Sequence, residues 1–216
     1  MFDFDGTMVD TETAEYESAR RVYADYGLDL PPDRWIAAAG TMWGFDWVED
    51  LVTATAGVAD PHEARRRKRT YITELNAATV VRPGLFELLD EIRSDGIPMG
   101  IASNSGSDWI DFQLDRLGLT DYFTAIVTID RVERGKPYPD PYLKAVTLLG
   151  AEARGTVAFE DSEAGTQSAC AAGLFVVAAP GPITLSHDLG AAHLRIDTFE
   201  GFTLADVARA LELARS

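Results

Sequence analysis

The sequence predicts an α/β protein with a Rossmann-like parallel sheet, helices on both faces, and an all-helical cap domain inserted after the first strand. Short apolar runs alternate with helical segments through the C-terminal two thirds of the chain, which is the pattern of right-handed βαβ units. Residues 11–80 instead carry helix-like patterns and no convincing strand. We therefore expect an α/β core of residues 1–10 and 81–216 and a helical cap of residues 11–80.

The predicted core elements follow in a regular order. Leu85, Leu88, Leu89 and Ile92 recur at helical spacing, and the next helix ends at Gly118. Further helices are predicted over "PDPYLKAVTLLG", "AGTQSACAAG" and "LADVARALELA". The predicted strands are "IPMGIAS", "FTAIVT", "GTVAFED", "LFVVAA" and, as a candidate, "HLRI".

The first strand and the cap each carry a local signal in the sequence. A strand of about five residues is expected before Asp3, but only Met1 and Phe2 precede it. The first strand is then either unusually short or continued by residues upstream of Met1. Within the cap, Asp60 followed by Pro61 predicts a helix start, with the aspartate as N-cap and proline in the first turn.

Composition excludes several classes of function. The formal net charge of -16 argues against a nucleic-acid partner, because phosphate backbones require a basic surface. No apolar run approaches the roughly 18 residues of a membrane helix, and no signal peptide is visible. The chain has a single cysteine, Cys170, which cannot form an internal disulfide. We expect a cytoplasmic protein with no membrane partner, and the acidic surface is compatible with a monomer.

Polar residues follow the strands at the points where ligands bind in open parallel sheets, beyond the carboxyl ends of the strands. Together they supply acids for a metal, a lysine and hydroxyls for an anion, and a carboxylate free to attack. In chain order these residues are Asp3, Asp5, Gly6, Thr7, Ser103, Asn104, Lys136, Glu160 and Asp161.

Phosphoryl transfer is the chemistry that suits this set. A phosphate monoester is a dianion that repels a carboxylate nucleophile, and a divalent cation with a lysine offsets that repulsion. Mg²⁺ prefers such oxygen ligands. Asp3 would attack phosphorus to form an aspartyl phosphate. Asp5 would protonate the leaving oxygen and later activate water, and Gly6 would allow backbone N–H groups to approach the phosphate.

The ordered set "DFDGT", "ASN", "GKPYPDPY" and "FEDSEAG" resembles the four motifs of the haloacid dehalogenase superfamily. It is most similar to the branch of small phosphatases and β-phosphoglucomutase-like proteins with a helical cap. The resemblance implies Asp3 as nucleophile and Asp5 as general acid and base. Phosphate binding falls to Gly6, Thr7, Ser103, Asn104 and Lys136. The implied Mg²⁺ ligands are Asp3, the backbone carbonyl of Asp5, Asp161 and, as a neighbour or further ligand, Glu160.

Departures from the family pattern narrow the chemistry. Asp5 is acidic, whereas dehalogenases and phosphonate hydrolases of the superfamily carry a non-acidic residue there, so both activities are disfavoured. At the two cap positions where the mutases carry histidine and arginine, this chain has Glu15 and Trp43. Neither supplies a positive charge for a second phosphate. These two residues, with Met42 and Phe45, are the candidates for the substrate pocket.

The leading hypothesis is a Mg²⁺-dependent phosphatase that hydrolyses a small phosphorylated metabolite, for example a sugar phosphate, through an aspartyl phosphate. One alternative is a phosphosugar mutase of β-phosphoglucomutase type. The other is a catalytically silent protein that binds phosphorylated ligands.

Overall fold

The structure is a computed structural model that describes residues 1–37 and 45–215. No helix within these residues is long and apolar enough to cross a membrane. The helices are α1 (Thr11–Asp25), α2 (Pro32–Ile36), α3 (Trp47–Ala54), α4 (Pro61–Ala78), α5 (Leu85–Ser94), α6 (Ser107–Leu117), α7 (Asp140–Leu149), α8 (Glu163–Ala171) and α9 (Leu204–Arg215). The strands are β1 (Gly100–Ala102), β2 (Ala125–Val127), β3 (Val157–Glu160), β4 (Phe175–Ala178) and β5 (Leu194–Arg195).

The strands form a parallel sheet whose centre is the N-terminal segment, residues 1–3. The N–H of Phe2 donates to the Gly100 carbonyl at 2.8 Å on one side, and the N–H of Asp3 donates to the Phe159 carbonyl at 3.0 Å on the other. Strand β2 extends the sheet beyond β1, and β4 and β5 extend it beyond β3. The N-terminal segment is therefore paired on both sides, and the predicted parallel α/β fold is confirmed.

Alternating side chains along each strand cover both faces of the sheet, as the two-residue period of a strand requires. Phe159 and Val177 pack with α5, α6 and α9 on one face. Ala158 and Val176 pack with α7 and α8 on the other. Burial on both faces explains why the strands are continuous apolar runs rather than alternating polar and apolar sequences.

Element ends agree with the sequence signals, whereas the strands are shorter than predicted. Helix α6 stops at Gly118, which adopts a left-handed φ of 69°. The Asp60 side chain accepts a hydrogen bond from the N–H of Glu63 and caps α4. The run "IPMGIAS" forms a strand over only Gly100–Ala102, and Pro98 in that run has no N–H for a ladder.

Helices α1 to α4 share a hydrophobic cluster of their own, and the part of this region that the structure describes contains no extended strand. Tyr23 is buried at its centre, and its hydroxyl donates to the Trp47 carbonyl and to Asp50, both at 2.9 Å. Val9 and Val81 lie side by side in an antiparallel bridge where the chain leaves and re-enters the α/β core. These features are consistent with a cap over residues 11–80, and its boundaries stay a prediction.

Gly84 provides a test of the packing where the chain re-enters the core. It has a φ of 82°, and a Cβ there would lie 2.3 Å from the Glu200 nitrogen and the Phe199 carbonyl carbon. Gly96 has a similar φ of 69° but open space around it. Gly96→Ala should cost about 1–2 kcal/mol for the left-handed backbone alone. Gly84→Ala should cost about 1–3 kcal/mol more from overlap with fixed backbone.

Urea unfolding of the two variants measures this difference directly. Equal unfolding free energies for Gly84→Ala and Gly96→Ala would contradict the close approach of the 199–200 backbone to Gly84.

Candidate active site

The polar loops at the carboxyl ends of the strands enclose one cavity of about 270 Å³. This volume is at the low end for ligand pockets and suits a small substrate. Asp3 and Asp5 enter it from the N-terminal segment, Ser103 from the end of β1, and Lys136 from the loop before α7. Among residues 1–37 and 45–215, those that line it are Asp3, Asp5, Glu12, Ser103, Asn104, Ser105, Lys136, Asp161, Ser162, Ala164 and Thr184.

A buried lysine joins two of the predicted acids. The Lys136 ammonium donates to Asp3 Oδ1 and to Glu160 Oε1, both at 2.5 Å. The Tyr142 hydroxyl, also buried, donates to the same Glu160 oxygen at 2.5 Å. Glu160 is fully buried beneath the cavity, so it contacts Lys136 rather than the open space above Asp3.

The pKa values of Lys136 and Glu160 show the effect of burying one lysine among several acids. Burial lowers the pKa of Lys136, but the carboxylates of Asp3 and Glu160 outweigh burial and leave it raised. Burial also raises the pKa of Glu160 to about 7, although Lys136 opposes that shift. One ammonium thus faces more negative charge than it can neutralise.

Asp161 completes a set of buried carboxylates that fits a metal ion. One oxygen each from Asp3, Glu160 and Asp161 lie within 4.8 Å of one another. Burial, followed by the charges of Asp3 and Glu160, raises the pKa of Asp161 well above its ordinary value. Three buried oxygen donors with a single lysine among them fit a hard divalent cation such as Mg²⁺.

Gly6 and Thr7 contact Asp161 rather than the open cavity. A Cβ at Gly6, whose φ is 83°, would lie 2.1 Å from Asp161 Oδ2. The buried Thr7 hydroxyl donates to Asp161 Oδ1 at 3.3 Å, and the Thr184 hydroxyl donates to Oδ2 at 3.1 Å. Thr7 and Thr184 position the Asp161 carboxylate. The predicted contacts of Gly6 and Thr7 with phosphate stay a prediction.

Asp5 lies in the same cavity but in a different environment from Asp3. Its carboxylate accepts hydrogen bonds from the Ser105 hydroxyl at 2.6 Å, the Thr11 hydroxyl at 2.9 Å and the Trp109 indole at 3.1 Å. All three donors are neutral. Burial raises the pKa of Asp5 against the lowering effect of the Ser105 hydrogen bond, and the charge of Asp3 raises it further.

Ser103 and Asn104 are both brought to the cavity. The buried Ser103 hydroxyl accepts a hydrogen bond from the N–H of Ser105 at 3.0 Å. The Asn104 side chain pairs with the backbone of Lys136: its amide donates to the Lys136 carbonyl at 3.1 Å, and its carbonyl accepts from the Lys136 N–H at 2.8 Å. Asn104 therefore fixes the loop that presents Lys136, and its role as a direct phosphate ligand stays a prediction.

The four substrate-pocket candidates are less well supported. Glu15 forms an ion pair with Lys68, whose ammonium lies 5.9 Å from the Trp35 ring centre. Phe45 packs edge-on against Trp35, with the ring centres 6.5 Å apart. Neither residue lines the cavity. Met42 and Trp43 lie outside the described residues, and all four assignments stay predictions.

Several residues near the site were not predicted from the sequence. Glu12 lines the cavity, and Trp109 holds Asp5. Arg82 donates to the carbonyls of Gly6 at 3.0 Å and Pro180 at 3.1 Å, so it joins the loop after Asp5 to the loop after β4. Glu12 lies close to Asp5 in the sequence and could have been found by that proximity. Trp109 and Arg82 carried no comparable signal.

A larger cavity, of about 440 Å³, lies at the opposite ends of the strands. Met1, Ile97, Met99 and Leu211 are among the described residues that line it, and no ionisable side chain is among them. Its described lining offers no ionisable side chain for acid, base or metal chemistry, so the smaller polar cavity is the candidate active site.

The comparisons with known proteins agree with this geometry. The sequence pattern of the haloacid dehalogenase-like hydrolase family matches residues 1–179. The chain belongs to the haloacid dehalogenase-like hydrolases. YhcW of Bacillus subtilis (strain 168), whose name assigns it as a phosphatase, is 35% identical over 184 residues, covering 85% of this chain and 84% of YhcW.

Two further relatives extend the comparison. Fructose-1-phosphate phosphatase YqaB of Escherichia coli (strain K12) is 32% identical over 180 residues, covering 82% of this chain and 93% of YqaB. A family hydrolase from Deinococcus radiodurans R1, solved with bound phosphate and sodium, superposes with a TM-score of 0.80 at 26% identity, covering 97% and 94% of the two chains. The predicted family is confirmed, and these relatives support the predicted enzyme class, a phosphoric monoester hydrolase.

The buried acids make the stability of this haloacid dehalogenase-like hydrolase depend on pH. Burial raises the pKa of Glu160 from 4.5 to about 7, so in that range the folded protein binds more protons than the unfolded chain. In EDTA, the free energy of unfolding should be greatest near about pH 5 and fall as pH rises through about 7. Mg²⁺ should restore stability at higher pH, because it binds only the folded, deprotonated site.

Urea unfolding at both ends of this range, with EDTA and with excess Mg²⁺, measures the effect. Asp161→Asn should be more stable than the parent in EDTA at high pH and should lose most of the Mg²⁺ stabilisation. Asp121→Asn, at an exposed position outside the site, is the matched control. Identical stability of the parent with EDTA and with Mg²⁺ would remove these acids from a metal site.

Proposed function

We propose that this hydrolase is a Mg²⁺-dependent phosphatase that hydrolyses a small phosphorylated metabolite, a sugar phosphate in particular, through an aspartyl phosphate on Asp3. The observation that carries the proposal is the contrast between two carboxylates in one cavity. Asp3 is bonded to the Lys136 ammonium, whereas Asp5 is held by three neutral donors and has a raised pKa. Such a contrast suits one ionised nucleophile beside one acid that can donate a proton.

Each carboxylate takes one part of the first step. An Asp3 oxygen forms a bond to phosphorus while the bond from phosphorus to the ester oxygen breaks. The protonated Asp5 gives its proton to that ester oxygen, and the dephosphorylated part of the substrate leaves as an alcohol. Lys136 and Ser103 contact the phosphoryl oxygens, and Asn104 holds the Lys136 loop in place.

The second step uses the same residues in reverse roles. Asp5, now ionised, accepts a proton from a water molecule that attacks phosphorus. The bond between phosphorus and the Asp3 oxygen breaks, which releases inorganic phosphate and regenerates both carboxyl groups. Neutral hydrogen-bond donors suit this role, because they stabilise Asp5 in its charged form without fixing it there.

Asp3 and Asp161 would hold the Mg²⁺, with Glu160 beside them and the backbone carbonyl of Asp5 as a further ligand. The ion would neutralise the phosphate dianion and the acids that Lys136 leaves uncompensated. Thr7 and Thr184, which donate to Asp161, would orient that carboxylate as outer-shell partners do at other metal sites.

The relatives support the substrate class. YqaB is named as a phosphatase of fructose 1-phosphate. A Thermotoga maritima relative, 29% identical over 180 residues, is named as a phosphatase of phosphorylated carbohydrates. The small cavity above Asp3 is also in keeping with a small ester rather than a phosphoprotein.

Phosphate release from a panel of sugar phosphates tests the proposal. The parent should release phosphate in Mg²⁺ and not in EDTA. Asp3→Asn should lose at least about a thousandfold in turnover, because removal of a covalent nucleophile is not compensated by its neighbours. Asp121→Asn serves again as the control and should keep full activity.

The same panel separates the alternatives. Appreciable turnover by Asp3→Asn would exclude Asp3 as nucleophile. Isomerised sugar phosphate with little free phosphate, followed by ³¹P NMR, would indicate a mutase instead. Tight binding of sugar phosphates with neither product would indicate a silent binding protein.

A further inference from the structure

Glu12 is the acid in the cavity for which the proposed chemistry has no use. It lies in the first turn of α1 and lines the cavity with Asp3, Asp5 and Lys136. Among the described residues it has no hydrogen-bond or ion-pair partner. Burial, followed by the charges of Asp5, Glu15 and Asp3, raises the pKa of Glu12 to about 7.

A structural role at the helix N-terminus does not account for this placement. An acid in the first turn stabilises a helix by interacting with its dipole, and it does so while exposed to water. Glu12 is instead half-buried in the cavity wall and faces other carboxylates, which is unfavourable for its charged form. Asp10 already caps α1 by accepting a hydrogen bond from the N–H of Thr13 at 3.0 Å.

The position of Glu12 within the cavity is on the side of the proposed acid. Thr11, the preceding residue, donates to Asp5 Oδ1 at 2.9 Å, and Asp5 is the nearby charge with the largest effect on Glu12. Lys136 instead bonds Asp3 and Glu160. The cavity therefore carries an ammonium beside Asp3, where phosphate would bind, and a further acid, Glu12, near Asp5, where the leaving alcohol would sit.

We propose that Glu12 is a specificity-determining residue that accepts a hydrogen bond from a hydroxyl of the leaving group, and so selects monophosphates with a neutral, polyhydroxylated leaving group over esters with an anionic leaving group. The inference rests on the proposed phosphatase function and refines its substrate class. A hydroxyl next to the ester carbon gives Glu12 the donor that the protein does not supply. A carboxylate or second phosphate at that place adds a negative charge beside Glu12 and Asp5.

Three esters of the same carbon number isolate the two effects. Glycerol 3-phosphate offers hydroxyls and no extra charge, 3-phosphoglycerate carries a carboxylate, and propyl phosphate carries neither. The parent should favour glycerol 3-phosphate over each of the others by about tenfold or more in kcat/KM, which is the scale of one hydrogen bond to a charged group.

Two substitutions separate hydrogen bonding from charge. Glu12→Gln keeps a carbonyl acceptor and removes the charge, so discrimination against 3-phosphoglycerate should fall while preference over propyl phosphate remains. Glu12→Ala should lose both preferences. Glu87→Gln, an exposed glutamate in the first turn of α5, is the matched control for an effect on a helix terminus, and it should leave every ratio unchanged.

Binding to Asp3→Asn gives a second readout that does not need turnover. Calorimetry with the same three esters should show the same order of affinity, and Glu12→Gln in that background should reduce the penalty for 3-phosphoglycerate. The inference would be overturned if the ratios of kcat/KM between the three esters stayed within about twofold of the parent's ratios in both Glu12 variants. A change in the overall rate alone would not support it. A parent that binds selectively but releases no phosphate would instead overturn the proposed phosphatase function.

Discussion

The contact of Lys136 with Asp3 and Glu160 is the constraint on which the site depends. A buried ammonium and a buried carboxylate are each costly to desolvate, and they persist when they are paired and hydrogen-bonded. Here the Tyr142 hydroxyl and the Asn104 side chain complete that network from two further elements. One lysine cannot neutralise all the buried acids, and the proposed cation would offset the remaining negative charge where a dianionic substrate binds to this protein of net charge -16.

The sheet determines where these charges meet. The N-terminal segment lies between β1 and β3, so the chain that follows it enters the loop region at the centre of the sheet edge. Parallel strands end on the same side, and the residues that follow β1 and β3 therefore converge on Asp3. Arg82 fixes the geometry from outside by bonding the carbonyls of Gly6 and Pro180. The N-terminal segment is thus held on both sides by its neighbours.

Sequence patterns could predict the fold and the acids, because buried parallel strands are apolar runs and the polar residues after them fall at one edge. They could not predict which side chains hold those acids. Trp109 bonds Asp5 across 104 positions of the chain, and Tyr142 bonds Glu160 through the packing of α7 under the sheet. Such contacts depend on tertiary packing, which leaves no periodic trace. Thr7 illustrates the same limit, since no signal in the sequence indicates that its buried hydroxyl donates to Asp161.

Helix α1 connects the acid of the proposed mechanism to the selection of substrate. Thr11 and Glu12 are consecutive residues of its first turn, one bonded to Asp5 and the other lining the cavity beside it. Both residues belong to one helical turn. The proposed proton transfer by Asp5 and the proposed recognition of the alcohol by Glu12 therefore depend on the same segment of α1.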